Sequence, residues 1–143
     1  MYRTILVPLD GSPRAERILP HVEELAHRFE SRVVFLQVLE PVFDFLQDSA
    51  SRSHQERERE SDAYLAGLRG EFREKGIRAR TAVDRGPVVE TIIKVANREG
   101  ADLVAIASHG RGGISRVFYG SVAAGVLHQV DRPLLVIRAR GQD

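Results

Sequence analysis

Asp102-Leu103-Val104-Ala105-Ile106-Ala107-Ser108-His109-Gly110-Arg111-Gly112-Gly113, closed farther on by Gly120-Ser121-Val122, reads as a strand, a glycine-rich turn and the start of a helix. Leu103 to Ala107 is apolar without alternation, the pattern of a parallel strand covered on both faces. Small residues follow Gly120 (Ser121, Ala123, Ala124, Gly125), so the next helix is able to pack closely against the sheet. A strand that runs through such a turn into a helix gathers unpaired backbone N–H groups and the positive end of the helix dipole at one place. That place attracts phosphate. The spacing is neither that of a phosphate loop ending in Gly-Lys-Ser/Thr nor that of the three crowded glycines of a dinucleotide fold.

Outward from this stretch, strands alternate with helices. Arg3 to Leu9 reads as a first strand, and Asp10-Gly11-Ser12-Pro13 as a turn in which Ser12 caps a helix that Pro13 begins. Ile18, Leu19, Val22, Leu25, Ala26 and Phe29 give that helix one apolar face. Arg32 to Leu39 is a second buried strand, completing a right-handed βαβ unit. Glu40 to Ser53 loses all periodicity and reads as a long loop whose phenylalanines make it a candidate lid. His54 to Lys75 is a charged helix with Tyr64, Leu65, Leu68 and Phe72 as its buried stripe, ended by Gly76.

Ile77 to Val83 alternates, with arginines on one side, as a sheet edge with one wet face does. Gly86-Pro87 opens a third helix that turns Val88, Ile92, Ile93, Val95 and Ala96 inward and stops at Gly100. Pro133 to Ile137 is the fifth strand. The alternation predicts a single α/β domain over residues 1–143, a doubly wound five-stranded parallel sheet with helices on both faces. A strand order 3-2-1-4-5 makes the first and fourth strands neighbours, so that Pro8-Leu9-Asp10 and Ala107-Ser108-His109-Gly110 line one crevice at the reversal of strand order. Leu134 to Ile137, apolar on both faces, lies at the other edge. A second copy of the same strand is its expected cover, giving a homodimer.

Composition narrows the function. With 143 residues the chain buries a core without disulfides, and it has no cysteine, which excludes thiolate chemistry and fits a cytoplasmic protein. The opening residues lack the apolar run of a signal peptide, and no stretch approaches the roughly 20 apolar residues that cross a bilayer. The formal charge of +1 gives no general attraction to nucleic acid or membrane, so an anion site must be local. The five histidines show no metal-ligand spacing.

The glycine pattern, Ala107-x-x-Gly110, nine residues, Gly120-Ser121, resembles that of the universal stress protein family, whose ATP-binding members carry Gly-x-x-Gly, nine residues, Gly-Ser/Thr. Ile5-Leu6-Val7-Pro8-Leu9-Asp10-Gly11-Ser12, Gly86-Pro87 through Gly100-Ala101-Asp102-Leu103-Val104, and Arg132-Pro133-Leu134-Leu135-Val136 extend the resemblance along the whole chain. It implies an adenine nucleotide alpha hydrolase-like fold that binds ATP, with ADP and AMP as alternatives and Mg2+ carried by the phosphates. By position it nominates Pro8, Asp10 and Val38 around the base, and Gly110, Gly120, Ser121 and Val122 around ribose and phosphates; Leu9, Ala107, Ser108 and Gly113 beside them complete the candidate binding set, with Arg111 as a cation able to reach a phosphate bidentately. Ala107 stands where the family motif begins with glycine. The extra methyl matters if the backbone there needs positive φ or a ligand approaches closer than a methyl permits.

Two functions follow. One is a cytoplasmic stress or regulatory protein that binds an adenine nucleotide as a homodimer, with at most slow ATP hydrolysis or self-phosphorylation, because the motif offers no lysine for a γ-phosphate and no evident base. The other is a dimeric interaction module that has lost the nucleotide. A nucleotide-transferring enzyme needs a second pocket, for which the short connections leave little room.

Overall fold

The computed structural model describes residues 1–40, 54–108 and 121–139. The strands are β1 (Thr4–Leu9), β2 (Arg32–Leu39), β3 (Arg78–Arg85), β4 (Leu103–Ala107) and β5 (Leu134–Ile137). The helices are α1 (Leu19–Phe29), α2 (His54–Glu74), α3 (Val88–Glu99) and α4 (Ser121–Gln129). All strand pairings are parallel, in the order β3-β2-β1-β4-β5, as the alternation predicts. The candidate lid falls outside the described residues except for Glu40, and so do Gly110, Arg111, Gly113 and Gly120.

The pleat of the central strand explains the layers. Ile5, Val7 and Leu9 of β1 point to one side, where Ile18, Val22 and Ala26 from the first helical segment and Leu65, Leu68 and Phe72 of α2 bury them. Leu6 points to the other side with Val34 and Leu36, under Ile92, Val95 and Ala96 of α3 and Val126 of α4. Every residue of β1 and β4 is buried. Gly125 of α4 serves a close helix contact: a Cβ added there would lie 2.7 Å from Val89 Cγ2 of α3.

The first helix departs from expectation. Ser12 Oγ does accept a hydrogen bond from the Ala15 N–H (3.1 Å), but the segment begins as a 3-10 turn, Ala15–Ile18, before α1 starts at Leu19. Pro20 is the physical reason, since its nitrogen has no hydrogen to give the preceding turn and its fixed φ suits a helix start.

Two side chains tie remote segments together. Arg132, just before β5, donates to the carbonyls of Ala96 (3.1 Å) and Ala101 (2.8 Å) and to Asn97 Oδ1, fastening the end of α3 to the start of β5. Asp102 accepts from the backbone N–H groups of Arg3 (2.9 Å) and Thr4 (3.0 Å), joining the start of β4 to the start of β1. Burial pushes the Asp102 carboxyl up, but the bonds from Thr4 and Arg3 and the nearby N-terminal charge outweigh it and hold the group below its ordinary value. A depressed folded-state pKa means that the unfolded chain takes up protons first. The contribution is therefore complete above the ordinary aspartate range and is lost as pH falls through the folded-state value. Asp102→Asn is expected to cost about 2 kcal/mol at pH 7. It should also give a shallower loss of stability below about pH 4, measured by urea unfolding across pH.

Candidate functional site

The site begins where β1 ends. Pro8 and Leu9 are buried as the last strand residues, in register with Leu36 and Gln37 of β2. Asp10, half-buried, turns the chain by accepting a hydrogen bond from the Ser12 N–H at 2.9 Å. Gly11 takes φ +86°, a left-handed conformation that glycine adopts without a Cβ clash. The Gln37 amide lies against it, and a Cβ on Gly11 would sit 3.9 Å from Gln37 Nε2.

On the other flank, β4 pairs with β1 through Ile5–Leu103 and Leu6–Val104, an offset that carried onward sets Ala107 level with Leu9. The Ser108 N–H then donates to the Ile137 carbonyl at 2.8 Å. Ala107 lies in ordinary strand geometry: among the described residues, positive φ outside glycine occurs only at Tyr2 and Glu30. The backbone at this position therefore makes no demand that alanine fails to meet. Val38 is half-buried on the face of β2 that carries Leu36, while Ser121 and Val122 open α4, Ser121 exposed and Val122 half-buried. The strand ends thus bring together Pro8, Leu9, Asp10, Val38, Ala107 and Ser108, with Ser121 and Val122 on the helix that follows β4.

Two polar atoms stand out at these ends. Gln37 Oε1 and Ser108 Oγ are buried and have no hydrogen-bond partner among the described residues. Leaving such a group unmade costs about 1–3 kcal/mol, and native structures rarely tolerate it without a ligand, ion or water. Ser108 is among the residues nominated from the motif. Gln37 is not, because in sequence it reads as one polar residue within a buried strand, and only the register with Leu9 sets it at the crevice.

Tyr64 of α2 borders the same end of the sheet and donates to Glu16 Oε2 at 2.5 Å. Burial, the hydrogen bond to Glu16 and the charges of Glu16 and Asp10 push the phenol far above its ordinary value, so it stays a donor at any physiological pH. Among the described residues no group of three His, Cys, Asp or Glu side chains is placed to hold a metal ion. The strand ends present a carboxylate, an amide oxygen, a hydroxyl and an apolar wall, with α4 following in sequence. That set suits a ligand with hydrogen-bond donors, a flat apolar ring and an anionic tail.

The sequence profile of the universal stress protein family matches residues 1–138. This chain belongs to that family. A universal stress protein of Methanocaldococcus jannaschii is 27% identical over 157 residues, covering 98% of this chain and 97% of its own. The solved structure of that protein superposes with a TM-score of 0.88 at 25% identity, over 99% of both chains. Another universal stress protein, solved in complex with cAMP, superposes with a TM-score of 0.70 at 18% identity over 97% of this chain and 98% of its own. The universal stress protein of Archaeoglobus fulgidus solved in complex with dAMP gives 0.69 at 20% identity, over 95% and 98%. At those identities the two complexes speak to the shared universal stress protein fold. Among the described residues no helix is long and apolar enough to cross a membrane.

Proposed function

We propose that this chain is a cytoplasmic stress-response protein that binds an adenine nucleotide, ATP in the first place, across the carboxyl ends of β1, β2 and β4. The observation that carries the reading is the pair of buried polar atoms without a hydrogen-bond partner among the described residues, Gln37 Oε1 on β2 and Ser108 Oγ just past β4, the two strands that flank β1. An adenine amino group and ribose hydroxyls are donors that such atoms lack. The cAMP and dAMP complexes of fold relatives agree with this ligand class. Asp10 and Val38 hold the base, Ala107, Ser108, Gly110, Arg111 and Gly113 follow the ribose and phosphates, and Gly120, Ser121 and Val122 supply the helix start beneath the phosphates. Magnesium arrives on the phosphates, where it neutralises charge that this chain leaves uncompensated. Hydrolysis is slow at most, because the motif has no lysine for the γ-phosphate.

The protein acts as a homodimer joined along β5. That edge strand leaves Val136 43% exposed, and Leu127 of α4, on the helix covering the same face, is 63% exposed. A second copy would cover both of these exposed apolar side chains.

Calorimetric titration of nucleotide-stripped protein with Mg-ATP is expected to show micromolar or tighter binding, a free energy of about 8 kcal/mol or more. Sedimentation of the same sample should give twice the 16.0 kDa of one chain. The variant Gln37→Leu separates binding from folding. Without nucleotide it should melt about 2–4 °C higher, because it removes an unpaired acceptor, and it should bind ATP about tenfold more weakly. No heat at several temperatures, with no shift in melting, would leave the dimeric interaction module as the function.

A further inference from the structure

The opposite end of the sheet carries a different kind of site. At the amino ends of β2 and β3 an open hollow of about 440 Å³ is bordered by Arg32, Arg73, Arg78 and Arg80. Arg32 and Arg78 are register partners on neighbouring strands, and Arg80 follows Arg78 on the same face of β3, the sheet's outer strand.

Three of the four guanidinium groups are held by neutral acceptors. Arg73 donates twice to the Ala79 carbonyl (3.2 and 2.9 Å), Arg78 to the Glu30 carbonyl (3.0 Å) and Arg32 to the Glu99 carbonyl (3.1 Å). A carbonyl orients a guanidinium without cancelling its charge. The carboxylate that answers them is Glu99, whose side chain is 7% exposed. It is divided between Arg32 (3.6 Å), Arg80 (3.5 Å) and Arg98 (3.6 Å), while Arg98 is also paired with Asp84 (3.0 Å). Among the described residues, four lining arginines with one paired carboxylate, which contacts Arg32 and Arg80 and is shared with Arg98, give the hollow a local excess of positive charge on a chain whose net charge is only +1.

We propose that this hollow is a second anion site, separate from the nucleotide crevice, and that it takes an oligophosphate: two or more linked phosphates, free or as the tail of a larger molecule. The span selects the ligand class. Neighbouring strands lie about 4.8 Å apart, and alternate residues about 6.6 Å apart along one strand. A single phosphate engages one or two guanidinium forks well, whereas a chain of phosphates offers each of Arg32, Arg78 and Arg80 its own pair of oxygens. Arg73, whose two bonds fix it against the edge of β3, closes the side of the hollow nearest α2.

The test uses inorganic tripolyphosphate as probe, with orthophosphate as the single-phosphate control, titrated into the full chain by calorimetry at low and physiological ionic strength. Wild type is expected to bind tripolyphosphate at least tenfold more tightly than orthophosphate, and more weakly as salt rises. Arg78→Gln combined with Arg80→Gln should lower tripolyphosphate affinity at least tenfold while leaving the melting temperature as in wild type. Ser121→Asp, which alters the other end of the sheet, should bind tripolyphosphate unchanged. Three results would each overturn the proposal: no heat from wild type up to millimolar probe, equal affinity for the two phosphates, or an Arg78→Gln/Arg80→Gln protein that binds like wild type. So would loss of tripolyphosphate binding in Ser121→Asp, because the probe would then be reading the crevice. A free oligophosphate and a nucleotide tail are told apart by adding Mg-ATP to the tripolyphosphate-saturated protein. ATP that displaces the probe from the arginines makes the source a nucleotide, and ATP that binds alongside it makes the source a free chain.

Discussion

Ser121→Asp is expected to abolish nucleotide binding while leaving the fold intact or slightly more stable. Ser121 is the exposed first residue of α4, where backbone N–H groups have no partner within the helix. A carboxylate at that position interacts favourably with the helix dipole, by about 0.3–1 kcal/mol. The same carboxylate faces any phosphate seated there, and a like-charge contact costs several kcal/mol. ATP affinity should therefore fall by about a hundredfold or more, with the melting temperature unchanged or raised. Opposite signs in one variant separate loss of ligand from loss of structure. ATP binding as tight as in wild type would show that the phosphates do not rest on α4.

Phe35→Ala should have the largest effect on stability. Phe35 is fully buried in the middle of β2, in register with Val7 on one side and Thr81 on the other. Its ring meets that of Phe72 of α2 edge-on, with centroids 5.0 Å apart at 89°. Removing the ring deletes apolar contact and leaves a cavity between sheet and helix, at a cost of about 3–5 kcal/mol, and the edge-on pair adds about 1 kcal/mol. Set against the 5–15 kcal/mol typical of a whole domain, that is about a quarter or more of the stability. The urea midpoint should drop with little change in slope. A loss under about 1 kcal/mol would mean that α2 closes over the gap.

The sheet was legible because its strands are written in local code. Leu103–Ala107 has no polar residue to place outside, and Gly100, in a left-handed conformation just past α3, ends that helix where a residue with a side chain would be strained. What stayed hidden depends on residues far apart in sequence. Nothing near Arg132 shows that its partners are the carbonyls of Ala96 and Ala101, and nothing near Asp102 points to the N–H groups of Arg3 and Thr4. Pro20 was visible but gave way to the apolar periodicity around it, although its missing N–H is a purely local fact.

The candidate site divides along the same line. Asp10, Ala107, Ser108 and Ser121 stand out through the motif and its resemblance to a family. Gln37 emerges only from strand register, and the hollow between Arg32 and Arg80 only from the meeting of two strand ends with the end of α2. Alternating arginines on an edge strand read equally well as a solvated face. The carbonyl tethers that make them a candidate site are tertiary contacts.

The central place of β1 has a consequence for how the chain is made. Its partner β2 leaves the ribosome soon after it, but its other partner, β4, starts only at Leu103. At about 5–20 residues per second, the apolar flank of the first strand waits roughly 3–13 seconds after β2 is complete before its neighbour exists. A nascent β3-β2-β1 half-sheet is thus open along its most buried strand, and the hazard of misassembly lies in synthesis more than in the finished fold.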